Sequence, residues 1–195
     1  MRQNDLLDVS GHLQIIKIYK DGTEEKVYDD HNVITSGMGV GLAMLFAGQG
    51  DNSVEDFQIR YFQVGSGAAT SYDYSQYALE GYQKLTAEYG SNVVLSQHDR
   101  MNPGGGPSTA TEIFMLIPDN VIKKSSPTSV TYVLYLPEDV SFNQDVTEIG
   151  LFMSNPLAVL ISGQTRRSPL VAYRQFNSIT KTAEFSLVFK WKLSF

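Results

Sequence analysis

The last eleven residues of the chain, FSLVFKWKLSF at positions 185–195, predict the fold more clearly than any other stretch. Every second residue is large and apolar, which is the period of a β-strand with one face on a core and the other on water or a partner. The apolar positions are Phe185, Leu187, Phe189, Trp191, Leu193 and Phe195. We therefore predict that a sheet holds the C-terminus.

Further β-rich runs precede this strand in the second half of the chain, each bounded by Pro, Asn, Asp or Gly. The predicted strands are residues 113–117, 130–136, 149–153 and 170–176. No internal repeat is visible, which argues against propellers and solenoids. These features predict a mainly β protein: an antiparallel β-sandwich of jelly-roll or Ig-like type, with one or two short helices, in a single domain of residues 1–195.

The first half of the chain begins with a predicted strand over residues 13–19. Its alternation slips between Ile15 and Ile16, and a β-bulge there would reverse the faces of the later side chains. Asp21-Gly22 then predicts a hairpin turn into a return strand at residues 26–28. The residues before this hairpin, 1–10, are polar and are predicted to form an N-terminal arm.

A short helix is predicted after the hairpin, with Thr35 or Ser36 as its N-cap and Gly48 at its end. Its glycines follow a G-x-G-x-G spacing, which differs from the G-x-G-x-x-G of dinucleotide-binding loops and indicates close backbone packing instead. A buried strand over residues 57–64 is predicted next, stopping at Gly65-Ser66-Gly67. Residues 101–110, rich in Gly and Pro, predict a flexible loop.

Charge and composition exclude several classes of function. The net charge is −6 and the pI about 5.0, and the face of the last strand that carries Lys190 and Lys192 is diluted by Ser186, Val188 and Ser194, so direct nucleic-acid binding is not expected. The chain has no cysteine and no paired-histidine motif, so we expect no metal, no cofactor and no enzymatic activity. The longest apolar stretch, 40–47, is too short to span a bilayer.

A cluster of tyrosines is the strongest candidate for an interface. Tyrosine offers a large contact area with a polar tip, which suits protein interfaces and stacking on sugars. The alternative, that these rings fill the core of the sandwich, stays open. The candidate interface residues are Tyr72, Tyr74, Tyr77, Tyr82 and Tyr89.

Four segments together resemble a family of small structural proteins of tailed bacteriophage virions, found at the tail, baseplate, neck or fibre attachment. They are NVITSG at 32–37 with the LAML helix at 42–45, YFQVGSG at 61–67, TEIGLF at 147–152, and LVAYRQF at 170–176 with the strand that follows. The resemblance covers most of the chain from Asn32 onward, and its strength lies in the order and spacing of the segments.

This resemblance implies a non-enzymatic virion subunit, assembled in the host cytoplasm, with no catalytic residues to carry over. The expected partners are other virion proteins and further copies of the chain. Two alternatives stay open: a capsid decoration protein, and a module that binds a glycan or a host surface through the tyrosine cluster.

Overall fold

The structure of the chain, a computed structural model, describes residues 9–48, 53–66, 101–102, 106–107, 115–139, 145–154 and 170–195. Two five-stranded antiparallel sheets and one α-helix dominate the described residues. The prediction of a mainly β, antiparallel chain with one short helix is confirmed, and the arrangement agrees with a β-sandwich. Its assignment to the jelly-roll or the Ig-like type stays a prediction.

The first sheet, called sheet A, has the order β2-β1-β12-β9-β8. Its strands are β1 (Ser10–Tyr19), β2 (Glu24–His31), β8 (Ile122–Ser126), β9 (Ser129–Leu136) and β12 (Phe185–Ser194). The second, called sheet B, has the order β3-β11-β10-β4-β7. Its strands are β3 (Val33–Ile34), β4 (Ile59–Gly65), β7 (Met115–Leu116), β10 (Asp145–Met153) and β11 (Leu170–Thr180).

The C-terminal strand β12 lies at the centre of sheet A, between β1 and β9. Its alternate apolar side chains are buried as predicted, and Trp191 is fully buried between its register partners Leu13 and Tyr132. Phe195 differs from the prediction: it follows the end of β12 and is 42% exposed. The inner position nearest the chain end is therefore Leu193.

The inner faces of both sheets contribute to one hydrophobic core, because alternate residues of each strand point to the same side. Sheet A supplies Leu13, Ile15, Leu134, Leu187 and Phe189, among others. Sheet B supplies Phe62, Val64, Ile149, Leu151 and Val171, among others. The core thus joins segments from both ends of the chain.

The β-bulge predicted at Ile15 and Ile16 is present, but the extra residue is on β2. Ile15 pairs with Tyr28 and Ile16 with Lys26, so Val27 is the inserted residue. The pairing of β1 with β12 continues without a shift. Strand β1 therefore keeps its alternation, and Ile16 points to the outer face beside Val188 instead of reversing the faces of later residues.

Helix α1 (Ser36–Ala47) has the predicted limits, with Thr35 as N-cap and Gly48 in the left-handed conformation (φ 60°) as C-cap. The Thr35 hydroxyl does not cap the helix; it donates a hydrogen bond of 2.5 Å to the Leu170 carbonyl oxygen of β11. The predicted strand at 57–64 begins later, at Ile59, because Val54–Phe57 forms a 3₁₀ turn.

Strands β2, β10 and β11 are longer than predicted, and three further differences concern a loop, the N-terminal arm and an edge strand. Within the predicted loop 101–110, β5 (Met101–Asn102) pairs with β6 (Gly106–Pro107) as a short two-stranded sheet. Ser10 belongs to β1 and pairs with Ser194, so the predicted arm 1–10 overlaps the sheet at its end, and residues 1–8 lie outside the described part. The strand β8, which contains Lys123 and Lys124, was not predicted.

Deletion of residues 191–195 is expected to abolish soluble expression. It removes the fully buried Trp191 and Leu193 from the centre of sheet A, and loss of a buried Trp side chain alone costs about 3–5 kcal/mol. Deletion of Phe195 alone, which is 42% exposed, is the control and should leave a folded protein. An unchanged melting temperature for the five-residue truncation would contradict the central role of β12.

Candidate functional site

The tyrosines predicted as an interface, Tyr72, Tyr74, Tyr77, Tyr82 and Tyr89, lie outside the described residues. Their assignment stays a prediction. The sites that the structure does describe lie in sheet B, at the end of the sandwich near α1, and on the outer face of sheet A.

Sheet B brings together the four segments that carry the resemblance to virion proteins. One row of paired residues runs from Val33 in β3 through Tyr173 in β11 and Gly150 in β10 to Gln63 in β4. Each of these four residues comes from a different segment. The segments are far apart in the sequence and are hydrogen-bonded neighbours in the sheet.

Two of the segments also share a close side-chain contact. Glu148, in the TEIGLF segment, is fully buried and pairs with Gly65, in the YFQVGSG segment. A Cβ atom on Gly65 would lie 2.3 Å from the Glu148 Oε1 atom and 3.0 Å from its Cδ atom. The glycine is therefore needed to leave room for the buried carboxylate.

A second close contact joins the NVITSG segment to β11. A Cβ atom on Gly37 would lie 2.2 Å from the Leu170 carbonyl oxygen, the same atom that accepts the Thr35 hydrogen bond. In the following turn, a Cβ on Gly41 would lie 2.2 Å from Met153 Sδ. The close backbone packing predicted for these glycines is present at Gly37, whereas Gly41 faces the end of the Met153 side chain and Gly39 has open space around it.

In its central strand β10, sheet B is buried on its outer face as well as on its core face, whereas Val33 in the edge strand β3 is 41% exposed. Phe152 and Glu148 are both 0% exposed, and their β10 positions alternate with the core residues Ile149 and Leu151. Gln63 and Tyr173, which flank Gly150 in the sheet, are buried too. A fully buried carboxylate and amide require polar partners, because an unpaired buried polar group is costly. This part of sheet B therefore holds polar side chains in a region from which water is excluded.

An apolar pocket of about 450 Å³ lies between α1, β4, β8, β9 and the last residue. Arg60 and Asp119 form an ion pair at its wall. Around the same end of the molecule, Phe46 is 80% and Val54 is 66% exposed. The pocket is lined by Met38, Leu42, Phe57, Gln58, Ile59, Arg60, Asp119, Ile122, Val130, Tyr132, Met153 and Phe195. Its lining suits an apolar side chain rather than a charged ligand.

Two histidines that are far apart in the sequence meet on sheet A. His12 pairs with His31, and their ring centroids are 5.7 Å apart in an edge-to-face arrangement. The His12 Nε2 atom lies 2.9 Å from Asp29 Oδ1. The inserted Val27 shifts the register of this hairpin by one residue, which places His31 rather than Asp30 opposite His12. Sequence reasoning missed this pair because it depends on the bulge.

The outer face of sheet A carries a row of cationic and polar side chains across all five strands. The row runs His31, His12, Lys192, Thr131 and Lys123 in register. The adjacent row contains Lys190 between Gln14 and Val133. We call this outer surface the lysine face. Its three lysines on β8 and β12 are exposed and form no ion pair with the described part of the chain.

Lys181, between β11 and β12, is a buried lysine. Its Nζ atom donates a 2.7 Å hydrogen bond to the Thr182 carbonyl oxygen and lies 5.4 Å from the centroid of the Phe185 ring. Burial lowers the pKa of Lys181 to about 8, and the negative charges of Glu138 and Asp139 oppose that shift.

Within the described ranges, no cluster of three His, Cys, Asp or Glu side chains is arranged to hold a metal ion. Among the same residues, no helix has the length and apolar character needed to cross a membrane. Comparison of the chain with protein-family models, with curated proteins and with solved structures finds no match.

Substitution of Gly65 by Ala is expected to destabilise the protein by roughly 1–3 kcal/mol, because the new Cβ overlaps the buried Glu148 carboxylate. Gly39→Ala is the matched control: its Cβ meets nothing within 4 Å, and replacing a helical glycine by alanine stabilises by about 0.5–1 kcal/mol. Urea unfolding of both variants measures the difference. Equal urea midpoints for Gly65→Ala and Gly39→Ala would show that Gly65 has no steric role.

Lys181 predicts a pH dependence of stability in the alkaline range. Between pH 8 and about 10.4, the usual lysine pKa, the unfolded chain binds a proton that folded Lys181 has lost, so its contribution to stability rises with pH. We expect the melting temperature of the wild type, relative to Lys181→Met, to increase across this window. Lys20→Met, at an exposed lysine, is the control and should keep the wild-type slope.

Proposed function

We propose that the chain is a non-enzymatic structural subunit of a tailed-phage virion, which assembles into an oligomer at the tail, neck, baseplate or fibre attachment. The proposal extends the family resemblance, which is a resemblance of sequence patterns only. One observation carries it furthest: the four segments that resemble this family are adjacent strands of one sheet.

That adjacency matters because chance matches to four short patterns have no reason to lie side by side in space. Here their residues form a continuous row, Val33–Tyr173–Gly150–Gln63. The small residues within the patterns have steric roles, since Gly37 and Gly65 both allow close contacts between neighbouring segments. The patterns therefore act as one structural unit, which supports a shared architecture with the family.

A structural role also suits the described surfaces. The central strand β10 of sheet B is buried on both faces. The outer face of sheet A exposes Lys190, Lys192 and the ring of Tyr135, which is 53% exposed, around a buried patch of Ile16, Ser186 and Val188. Exposed aromatic side chains on a flat sheet are typical of protein interfaces. The edge strand β2 is rich in charged residues, which protects it from uncontrolled strand pairing. Assembly through a sheet face is thus favoured over addition at this edge.

The proposal predicts that the purified protein forms a closed oligomer with a mass that is a multiple of 21.7 kDa. Light scattering after size exclusion measures the mass, and negative-stain images give the symmetry. Deletion of residues 1–8, which leaves the Ser10–Ser194 pairing intact, should weaken the oligomer if these residues act as an arm. A monomer at all concentrations would contradict the proposal of self-assembly and favour a decoration or glycan-binding module.

A further inference from the structure

We infer that the lysine face is the surface through which one copy of the chain binds the acidic surface of a second copy. The inference rests on the proposed function, because it names the contact within the proposed oligomer. The supporting observation is the register of sheet A, which places lysine side chains from separate strands on one surface.

The lysine face differs in charge from the rest of the molecule. Its four lysines are Lys26, Lys123, Lys190 and Lys192, and its two carboxylates are Asp29 and Glu24, both on the edge strand β2. The face therefore carries a net charge of +2. Because the net charge of the whole chain is −6, the remaining residues have a net charge of −8. Outside its own lysine face, a second copy therefore has a net charge opposite in sign to that face.

Pairing of two lysine faces with each other is disfavoured, because Lys190 and Lys192 would meet like charges. The contact is therefore between unlike surfaces of the two copies. Contacts of this kind do not saturate in a two-fold dimer: they generate a closed ring if the rotation closes and a filament if it does not.

The accessible part of the face surrounds Lys190, Lys192 and Tyr135. Five strands spaced about 4.8 Å apart, each about eight residues long, span roughly 650 Å². Ile16, Ser186 and Val188 within this span are buried, so the accessible area is smaller than the ~800 Å² per partner of a standard interface. The face also has an aromatic anchor: Tyr135 lies on it, and its hydroxyl is held 2.8 Å from Ser186 Oγ. Polar groups around an aromatic side chain are a common composition for interfaces.

Charge reversal on the face tests the inference. In Lys190→Glu/Lys192→Glu, we expect the oligomer to dissociate to monomers at concentrations where the wild type is fully assembled. The matched control is Lys20→Glu/Lys124→Glu, which changes the net charge equally at exposed lysines off the face and should keep the wild-type mass. Circular dichroism of both variants verifies that they are folded. The wild-type oligomer should also weaken at 1 M salt, where the screening length falls to about 3 Å.

A mixing experiment tests the head-to-tail geometry. Lys190→Glu/Lys192→Glu loses the cationic face but keeps the acidic surface, so an affinity-tagged form of it should capture untagged wild type, whereas it should not capture untagged copies of itself. If the tagged variant captured neither the wild type nor its own untagged form, this result would contradict a contact between unlike surfaces.

The remaining outcomes separate this inference from the proposed function. A wild-type oligomer that is unaffected by salt and by Lys190→Glu/Lys192→Glu would overturn the assigned contact and leave the proposed function standing. A wild-type monomer at low salt would overturn both the contact and self-assembly. Binding of labelled oligo-dT that is lost in Lys190→Glu/Lys192→Glu would assign the face to nucleic acid and also overturn the inference.

Discussion

The pairing of β12 on both of its edges is the constraint on which sheet A depends. This strand is the end of the chain, yet it lies between β1 and β9 and supplies Trp191 to the core. Because its backbone groups are satisfied on both sides, the first and the last strands of the described chain are locked together. Sheet A therefore depends on contacts of long sequence separation, between β1 and β12.

The two sheets use their outer faces differently, and this division suggests how the molecule works. The central strand β10 of sheet B is buried on both sides; a side chain at Gly65 would meet buried Glu148, and a side chain at Gly37 of α1 would meet the backbone of β11. Sheet A is buried on its core side, and its outer side presents exposed lysines around the buried residues Ile16, Ser186 and Val188. This difference between the two outer faces agrees with the proposed role of the chain as a structural subunit.

Two buried ionisable side chains, Glu148 and Lys181, also constrain the arrangement of the strands. Glu148 and Lys181 are both fully buried, at positions where a well-packed apolar side chain is often equally or more stabilising. A buried ionisable side chain needs polar partners, and this requirement limits the strand registers that are compatible with the fold. In this protein the buried carboxylate lies where two of the resembling segments meet, at the pairing of Glu148 with Gly65.

The sequence by itself determined the features that depend on neighbouring residues. Alternation predicted β12, Asp21-Gly22 predicted the hairpin, and Thr35 and Gly48 predicted the limits of α1, because strand period, turns and helix caps are local properties. The tertiary structure alone decided that the extra residue of the bulge is on β2, that four distant segments form one sheet, and that Lys123, Lys192 and His12 share a row. These features depend on strand order and register, which contacts between remote parts of the chain select.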